Sequence, residues 1–274
     1  DRVAAPRLDR ERTVTVTGSF DAPQYFMRIL GYNTTRVAAE GKASRRDVNL
    51  IMVLDRSGSM ADTSTNGQPC STMRDSATNF TNMFAEQRDR LGLVTFGGSY
   101  YVNFTPSMTF RTGSPSMLTR LAAITCSGGT ATGTAVSEAY KLIQNINEPG
   151  ALNLIVVFTD GDDNFSSLSA QDVVRRAKAA GIPVYTIAQG MALNNPALLR
   201  ELAGISQSTG GLPFAIRDPR EIQQVFDTVA KDLAHGYLLT FSPSAGDDGR
   251  WRRLAVQLKA AKGYKVRARE GYFP

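Results

Sequence analysis

Four stretches of the chain are apolar almost without interruption: Val48–Leu54, Arg90–Phe96, Leu152–Thr159 and Ile182–Ile187. Runs this short and this rich in Val, Ile and Leu read as strands buried on both faces. The segments between them change period. Over Thr72–Arg88, the residues Met73, Ala77, Phe80, Met83 and Phe84 share one helical face. Shorter helical patterns follow at Ser116–Ile124, Thr134–Ile146, Ser169–Ala180 (closed by Gly181), Pro196–Ser206 and Pro219–Leu233, with a short strand at Leu212–Ile216. Strands alternating with helices at this spacing predict an α/β fold: a doubly wound, mostly parallel sheet with helices on both faces.

The two ends follow a different rule. Arg12–Thr17 alternates Thr and Val at period two, a half-buried strand that Gly18-Ser19 should break. Asp21-Ala22-Pro23 reads as a helix cap with Pro in the first turn, leading into Tyr25, Phe26, Ile29 and Leu30 on one helical face and a stop at Gly31. Asn33–Ala43 is strand-like again. The tail carries three more strand patterns, at 236–241, 251–258 and 264–269, with turns at Asp247-Asp248-Gly249 and Ala261-Lys262-Gly263. Neither end holds enough strands to stand alone. The expectation is therefore one small β-domain built from residues 1–45 and 235–274, with the α/β domain, 46–234, inserted in it.

Composition narrows the class. At 274 residues, 42% hydrophobic and 20% charged, the chain is an ordinary globular protein of one large domain or one domain with an addition. No apolar run approaches the roughly 18–20 residues of a membrane helix. The first dozen residues are polar and charged and do not read as a signal peptide. The net charge of +6 is uneven. Residues 1–49 hold nine Lys/Arg against six Asp/Glu and residues 235–274 eight against three, while the centre holds fourteen against sixteen. A basic flank can serve nucleic acid. Here the cations alternate with apolar residues, as in Tyr264–Arg269, and a solvated strand face accounts for them, so no nucleic-acid partner is expected.

The candidate chemistry sits at strand ends. Val48–Leu54 runs into Asp55-Arg56-Ser57-Gly58-Ser59-Met60, one carboxylate followed by two hydroxyls two residues apart. In a turn this spacing can aim three hard oxygens at one point, a donor set suited to Mg²⁺. Taken alone it is equally an ordinary turn. Two later stretches add to it: Ser127–Ala135, which contains Gly128-Gly129-Thr130, and Leu154–Gly161, which ends on Thr159-Asp160-Gly161. All three fall where open α/β sheets place ligands, beyond the carboxyl ends of strands. Catalysis finds little support. The single His235 is distant from any Ser or Asp partner in sequence, no phosphate-binding or dinucleotide fingerprint is present, and the cysteines lack zinc spacing. Asp160–Asn164 does not fit an EF-hand loop, although Asp62 and Asp163 could add outer charge to a cation site.

Asp55-x-Ser57-x-Ser59, the Gly128-Gly129-Thr130 loop and Thr159-Asp160-Gly161 resemble the metal-ion-dependent adhesion site of a von Willebrand factor type A domain. Three pieces appear in the family's order. The resemblance implies a site of Asp55, Ser57, Ser59, Thr130 and Asp160. The serines would bind the metal directly, the two Asp mostly through water or as second ligands, and Thr130 would join or leave with ligand state. The cation implied is Mg²⁺ first, with Mn²⁺ or Ca²⁺ as alternatives. It also implies that Tyr100–Phe104 is the family's antiparallel edge strand. The opening, with Pro23-x-x-Phe26-Met27-Arg28-Ile29-Leu30-Gly31 and Arg45-Arg46-Asp47-Val48, resembles tight-adherence (Tad-type) pilus assembly proteins, which carry an N-terminal membrane anchor. The end, Arg269–Pro274, resembles an extension found in von Willebrand-type proteins of environmental bacteria. The expected setting is extracytoplasmic, with an anchor upstream of the given chain.

Cys70 and Cys126 flank the first and second motif pieces. If both loops line one site, the thiols are neighbours and a disulfide pins the loops together; otherwise they are two unrelated cysteines. Two functions remain. One is a non-enzymatic binding or adhesion module that takes an acidic residue of a protein partner through the cation, in bacterial surface attachment or pilus assembly. The other is a structural component of the envelope in which the metal only steadies the loops.

Overall fold

The computed structural model describes residues 12–23, 34–45, 47–61, 68–148, 150–161, 181–234, 250–257 and 271–272, with 172, 175, 176, 179 and 268 besides. The chain divides into two compact units, Asp1–Asp47 and Val48–Pro274.

In the first unit, strand β1 (Arg12–Pro23) pairs antiparallel with β2 (Thr34–Arg45), twelve residues against twelve. The strand does not break at Gly18-Ser19. Gly18 lies opposite Ala39 and Ser19 opposite Ala38, so the ladder carries the chain through the glycine to Pro23. Asp21, expected to cap a helix, is a ladder residue opposite Arg36. Partner pairing outweighs the local turn propensity. The expected helix at Tyr25–Leu30 lies outside the described residues.

The second unit is built on six strands in the order β5-β4-β3-β6-β7-β8. These are β3 (Val48–Asp55), β4 (Arg90–Phe96), β5 (Tyr100–Ser107), β6 (Leu152–Thr159), β7 (Val184–Gln189) and β8 (Pro213–Ile216). All pairings are parallel except β4 with β5, which makes β5 an antiparallel edge as expected. Every residue of β3 and β7 is buried. Side chains alternate between two cores. Leu50, Met52, Leu54, Leu154, Val156 and Phe158 face one side; Ile51, Val53, Ile155 and Val157 face the other. Helices α1 (Pro69–Asn82), α2 (Met117–Ala122) and α5 (Ile222–Ala234) lie on the first core, where Phe80 stacks on Phe226 with centroids 4.4 Å apart. Helix α3 (Thr132–Ile146) covers the second core together with Ile205 of α4 (Pro196–Thr209).

Helix α1 starts three residues before the expected Thr72, on Pro69, and ends at Asn82 rather than Arg88. Pro is well suited to a first turn because its missing N–H would be unpaired there anyway. The C-terminal cut comes from outside the helix. The buried Asp89 accepts from Ala85 N at 2.8 Å and from Val48 N at 3.2 Å, and Gln87 takes φ 67° while donating to Met108 O. Met83, expected on the apolar face, is the C-cap and 42% exposed. Of the Ser169–Ala180 helix, residues 172, 175, 176 and 179 are helical and the rest lies outside the described residues.

In the tail, β9 (Arg252–Arg253) pairs antiparallel with β10 (Gly271–Tyr272). The expected strands at 236–241 and 264–269 lie outside the described residues, apart from Ala268. His235 does also.

Candidate metal centre

The sheet's connectivity reverses at the seam between β3 and β6. From β3 the chain moves outward to β4 and β5, then returns to the other side of β3 and builds β6, β7 and β8 outward. A seam of this kind opens a crevice beyond the carboxyl ends of its two strands. Asp55 is the last residue of β3, and Thr159 the last of β6, so the first and third motif pieces meet at that crevice.

Asp55 is fully buried, and both of its oxygens face the protein. Oδ1 accepts from Ser57 N at 2.8 Å. Oδ2 accepts from Thr159 Oγ1 at 2.8 Å and from Asp160 N at 3.3 Å. Asp55 thus ties its own turn to the end of β6. Three other oxygens converge. Ser57 Oγ and Ser59 Oγ lie 3.0 Å apart, and Asp160 Oδ1 accepts from Ser59 Oγ at 2.7 Å and Ser57 Oγ at 3.3 Å. Thr130 is buried close by. A Cβ on Gly161 would stand 3.8 Å from Thr130 Oγ1 and 4.0 Å from Ser59 Oγ, so Gly161 lies beside both hydroxyls.

The Gly128-Gly129 loop is held against the Asp55–Met60 turn by backbone. Gly58 N donates to Gly128 O at 2.8 Å and Ser127 N to Arg56 O at 2.6 Å. Gly128 has φ +87°, where a side chain would be strained. Cys126, next to Ser127, is bonded to Cys70 in the first turn of α1, with the Cα atoms 6.2 Å apart. Because α1 begins at Pro69 rather than Thr72, Cys70 lies in the helix. The pairing itself is the expected one. Opposite the loop, Ala192 N donates to Asp160 O at 2.8 Å, and Gly190, at φ +58°, puts backbone beside the Asp160 carboxylate.

Burial first, and then the neighbouring Asp160 charge, raise the Asp55 carboxyl to about 6 against the hydrogen bonds from Ser57 and Thr159 that lower it. Burial raises Asp160 as well. The charge acting on Asp55 is thus another anion, an arrangement that favours a cation between them. The oxygen set fits one. Mg²⁺ demands octahedral bonds of about 2.0–2.1 Å, which puts adjacent ligand oxygens about 2.9 Å apart. Ser57 Oγ, Ser59 Oγ and Asp160 Oδ1 are separated by 2.7, 3.0 and 3.3 Å and so have the dimensions of one octahedral face.

Of the five expected residues, four have these described roles around one point: Asp55 as the tie, Ser57, Ser59 and Asp160 as the converging oxygens. Thr130 borders them across Gly161. Three contributors carry no site role in the sequence pattern. Thr159 was quoted within its motif without a role, although a hydroxyl beside a strand-end carboxylate was the available signal. Gly190 and Ala192 had no such signal, because only the β6–β7 pairing brings them to Asp160. The positions of Asp62, Asp163 and Asn164 lie outside the described residues.

The von Willebrand factor type A domain model matches residues 49–228. Among curated proteins, the calcium-activated chloride channel regulator 3A-1 of Mus musculus is 28% identical over 230 residues, 82% of this chain and 22% of that protein. Human integrin alpha-X is 26% identical over 166 residues, 59% of this chain and 14% of that protein. The chain spans less than a quarter of the length of either. Among solved structures, proximal thread matrix protein 1 of the mussel byssus, with a zinc-occupied MIDAS motif, superposes with a TM-score of 0.57 at 17% identity, over 69% of this chain and 48% of that one.

Proposed function

This chain belongs to the von Willebrand factor type A domain family, and on that premise we propose that it is a non-enzymatic, cation-dependent protein-binding module. The cation is held at Asp55, Ser57, Ser59, Thr130 and Asp160, with Mg²⁺ the best fit and Mn²⁺ close to it. The single observation that carries this reading is the triangle formed by Ser57 Oγ, Ser59 Oγ and Asp160 Oδ1. The zinc-occupied motif of the mussel protein supports a divalent ion at such a site.

The chemistry follows from the donor set. Two buried carboxylates and neutral hydroxyls hold a divalent ion without filling its coordination, and a carboxylate from a partner completes it. Asp55 fixes Ser57 and the end of β6, and Thr130 stands where it can enter or leave the ligand set. No nucleophile with an adjacent base occurs among the described residues of the site. Recognition is what these groups supply. The setting that the Tad-like opening and the tail support is the bacterial envelope, in surface attachment or pilus assembly.

The test is capture of partners from envelope extract in Mg²⁺ and in chelator, with Thr130→Ala in parallel. Chelator should release the partner while the melting transition of the α/β unit persists, and Thr130→Ala should weaken capture more than stability. Capture indifferent to chelator would move the protein to the structural reading, in which the cation steadies loops only.

A further inference from the structure

Arg56 is the one long side chain within the Asp55–Ser59 turn, and it does not join the converging oxygens. Its backbone is fixed on both sides: N donates to Phe96 O at 2.8 Å, and O accepts from Ser127 N at 2.6 Å. Its guanidinium carbon lies 4.4 Å from the centre of the Tyr101 ring on β5. Gly97 leaves room beneath it: a Cβ there would stand 3.9 Å from that carbon and would collide with Ser127 O at 2.9 Å. Tyr101 is 49% exposed, so the pair sits on an open rim rather than in the core. The Tyr101 phenol is held below its usual range, first by a hydrogen bond with Ser99 and then by the Arg56 charge. Among the described residues, Arg56 forms no ion pair.

We infer that Arg56, braced on Tyr101, is a second recognition point beside the cation, and that it selects partner segments carrying a second acidic side chain. A guanidinium has five N–H donors, more than its contact with the Tyr101 ring consumes. Its planar fork matches a carboxylate through two parallel bonds. Bracing on an aromatic ring lowers the ordering cost of meeting one. The same turn supplies Ser57 and Ser59 to the cation and Arg56 to the rim, so both contacts ride on one rigid element. The occupant is an extended acidic protein segment, with one carboxylate on the cation and the next on Arg56.

This inference rests on the cation-dependent reading, and the experiment separates the two. The probes are capped peptides with one aspartate, and a set with a second aspartate one to four positions further on, titrated in saturating Mg²⁺ by NMR or calorimetry. At one spacing, the second aspartate should tighten binding about threefold to tenfold, as expected of a partly exposed charge pair. That gain should vanish in Arg56→Gln, persist in Arg56→Lys at reduced size, and shrink in high salt for the native protein. The single-aspartate peptide should bind Arg56→Gln and the native protein alike, which also shows that the variant is folded. Chelator-sensitive binding with no gain at any spacing overturns the role of Arg56 and leaves the cation reading standing. Binding that ignores chelator, or no binding of any peptide to Mg²⁺-loaded protein, overturns both.

Discussion

Asp55 commits both carboxylate oxygens to Ser57 N, Thr159 Oγ1 and Asp160 N, so its effect on a cation is exerted through position and charge. Two predictions follow at this scale. Asp55→Ala should weaken Mg²⁺ binding by roughly 10- to 100-fold, the range for residues that orient ligands; an unchanged calorimetric titration would refute the role. The second concerns pH. The Asp55 carboxyl is raised from 3.8 to about 6 in the fold. The folded state therefore binds a proton that the unfolded state has lost between those values. In chelator, this group costs the fold most above pH 6, is relieved as pH falls toward 4, and accounts for about 3 kcal/mol across that window. Denaturant titrations in chelator should show stability from this group rising between pH 7 and 5, while Mg²⁺ affinity falls over the same interval because protons compete for the site. Stability in chelator that drops on acidification would contradict the assignment of a raised Asp55. The residues of the site were legible because each lies within four positions of a strand end or a glycine pair. The roles within it were not: nothing in Asp-x-Ser-x-Ser says that the carboxylate will turn inward and leave the corner of the triangle to Asp160.

Elements were legible wherever the local pattern and the tertiary contacts agree. The four buried strands are apolar because both of their faces meet helices, and their expected bounds stand within two residues. Disagreement arises where a distant partner decides: Asp89 and Gln87 stop α1 early, and pairing with β2 carries β1 through Gly18. The Gly128-Gly129 loop is held by such distant contacts, which makes its stability testable. The Cys70–Cys126 bond spans 56 residues of sequence. Chain-entropy reasoning gives its removal a cost of about 4 kcal/mol, and the usual range is about 2–4. A Cys70→Ser, Cys126→Ser double variant should therefore unfold at lower denaturant and bind Mg²⁺ more weakly, and intact protein analysed without reductant should show no free thiol. Gly97 offers a sharper contrast. A methyl there meets Ser127 O at 2.9 Å, whereas one on Gly204 in α4 meets nothing within 4 Å. Gly97→Ala should cost about 1–3 kcal/mol and loosen the cation loop. Gly204→Ala should be neutral or stabilising by up to about 1 kcal/mol. Equal melting shifts for the two would contradict the account of how the loop is seated.

At the scale of the whole molecule, two-stranded sheets stand at both ends of the chain. β1 and β2 form one ladder in the unit Asp1–Asp47, and β9 and β10 form a short one near the end of the second unit. Isolated pairs are marginal in water and need further strands or a packed face. In the sequence, Thr and Val alternate over Arg12–Thr17, and Leu254, Val256 and Leu258 alternate with Ala255 and Gln257 near the other end. The sequence expectation of a β-domain drawn from 1–45 and 235–274, with 46–234 folding by itself, is a proposal that fragments can decide. Three fragments test it. Residues 46–234 contain all six strands of the main sheet, the disulfide and every residue of the cation site. This fragment should be monomeric and should keep the Mg²⁺ affinity of the whole chain within about threefold, since every described residue of the site lies within it. Residues 46–274 carry the tail without β1 and β2. They should aggregate on size-exclusion chromatography or melt earlier than the full chain, because half of an apolar face is left uncovered. Adding residues 1–45 as a separate peptide should reverse that effect. If instead 46–274 is monodisperse with the melting transition of the full chain, the tail is satisfied within its own unit, and the two ends serve separate purposes.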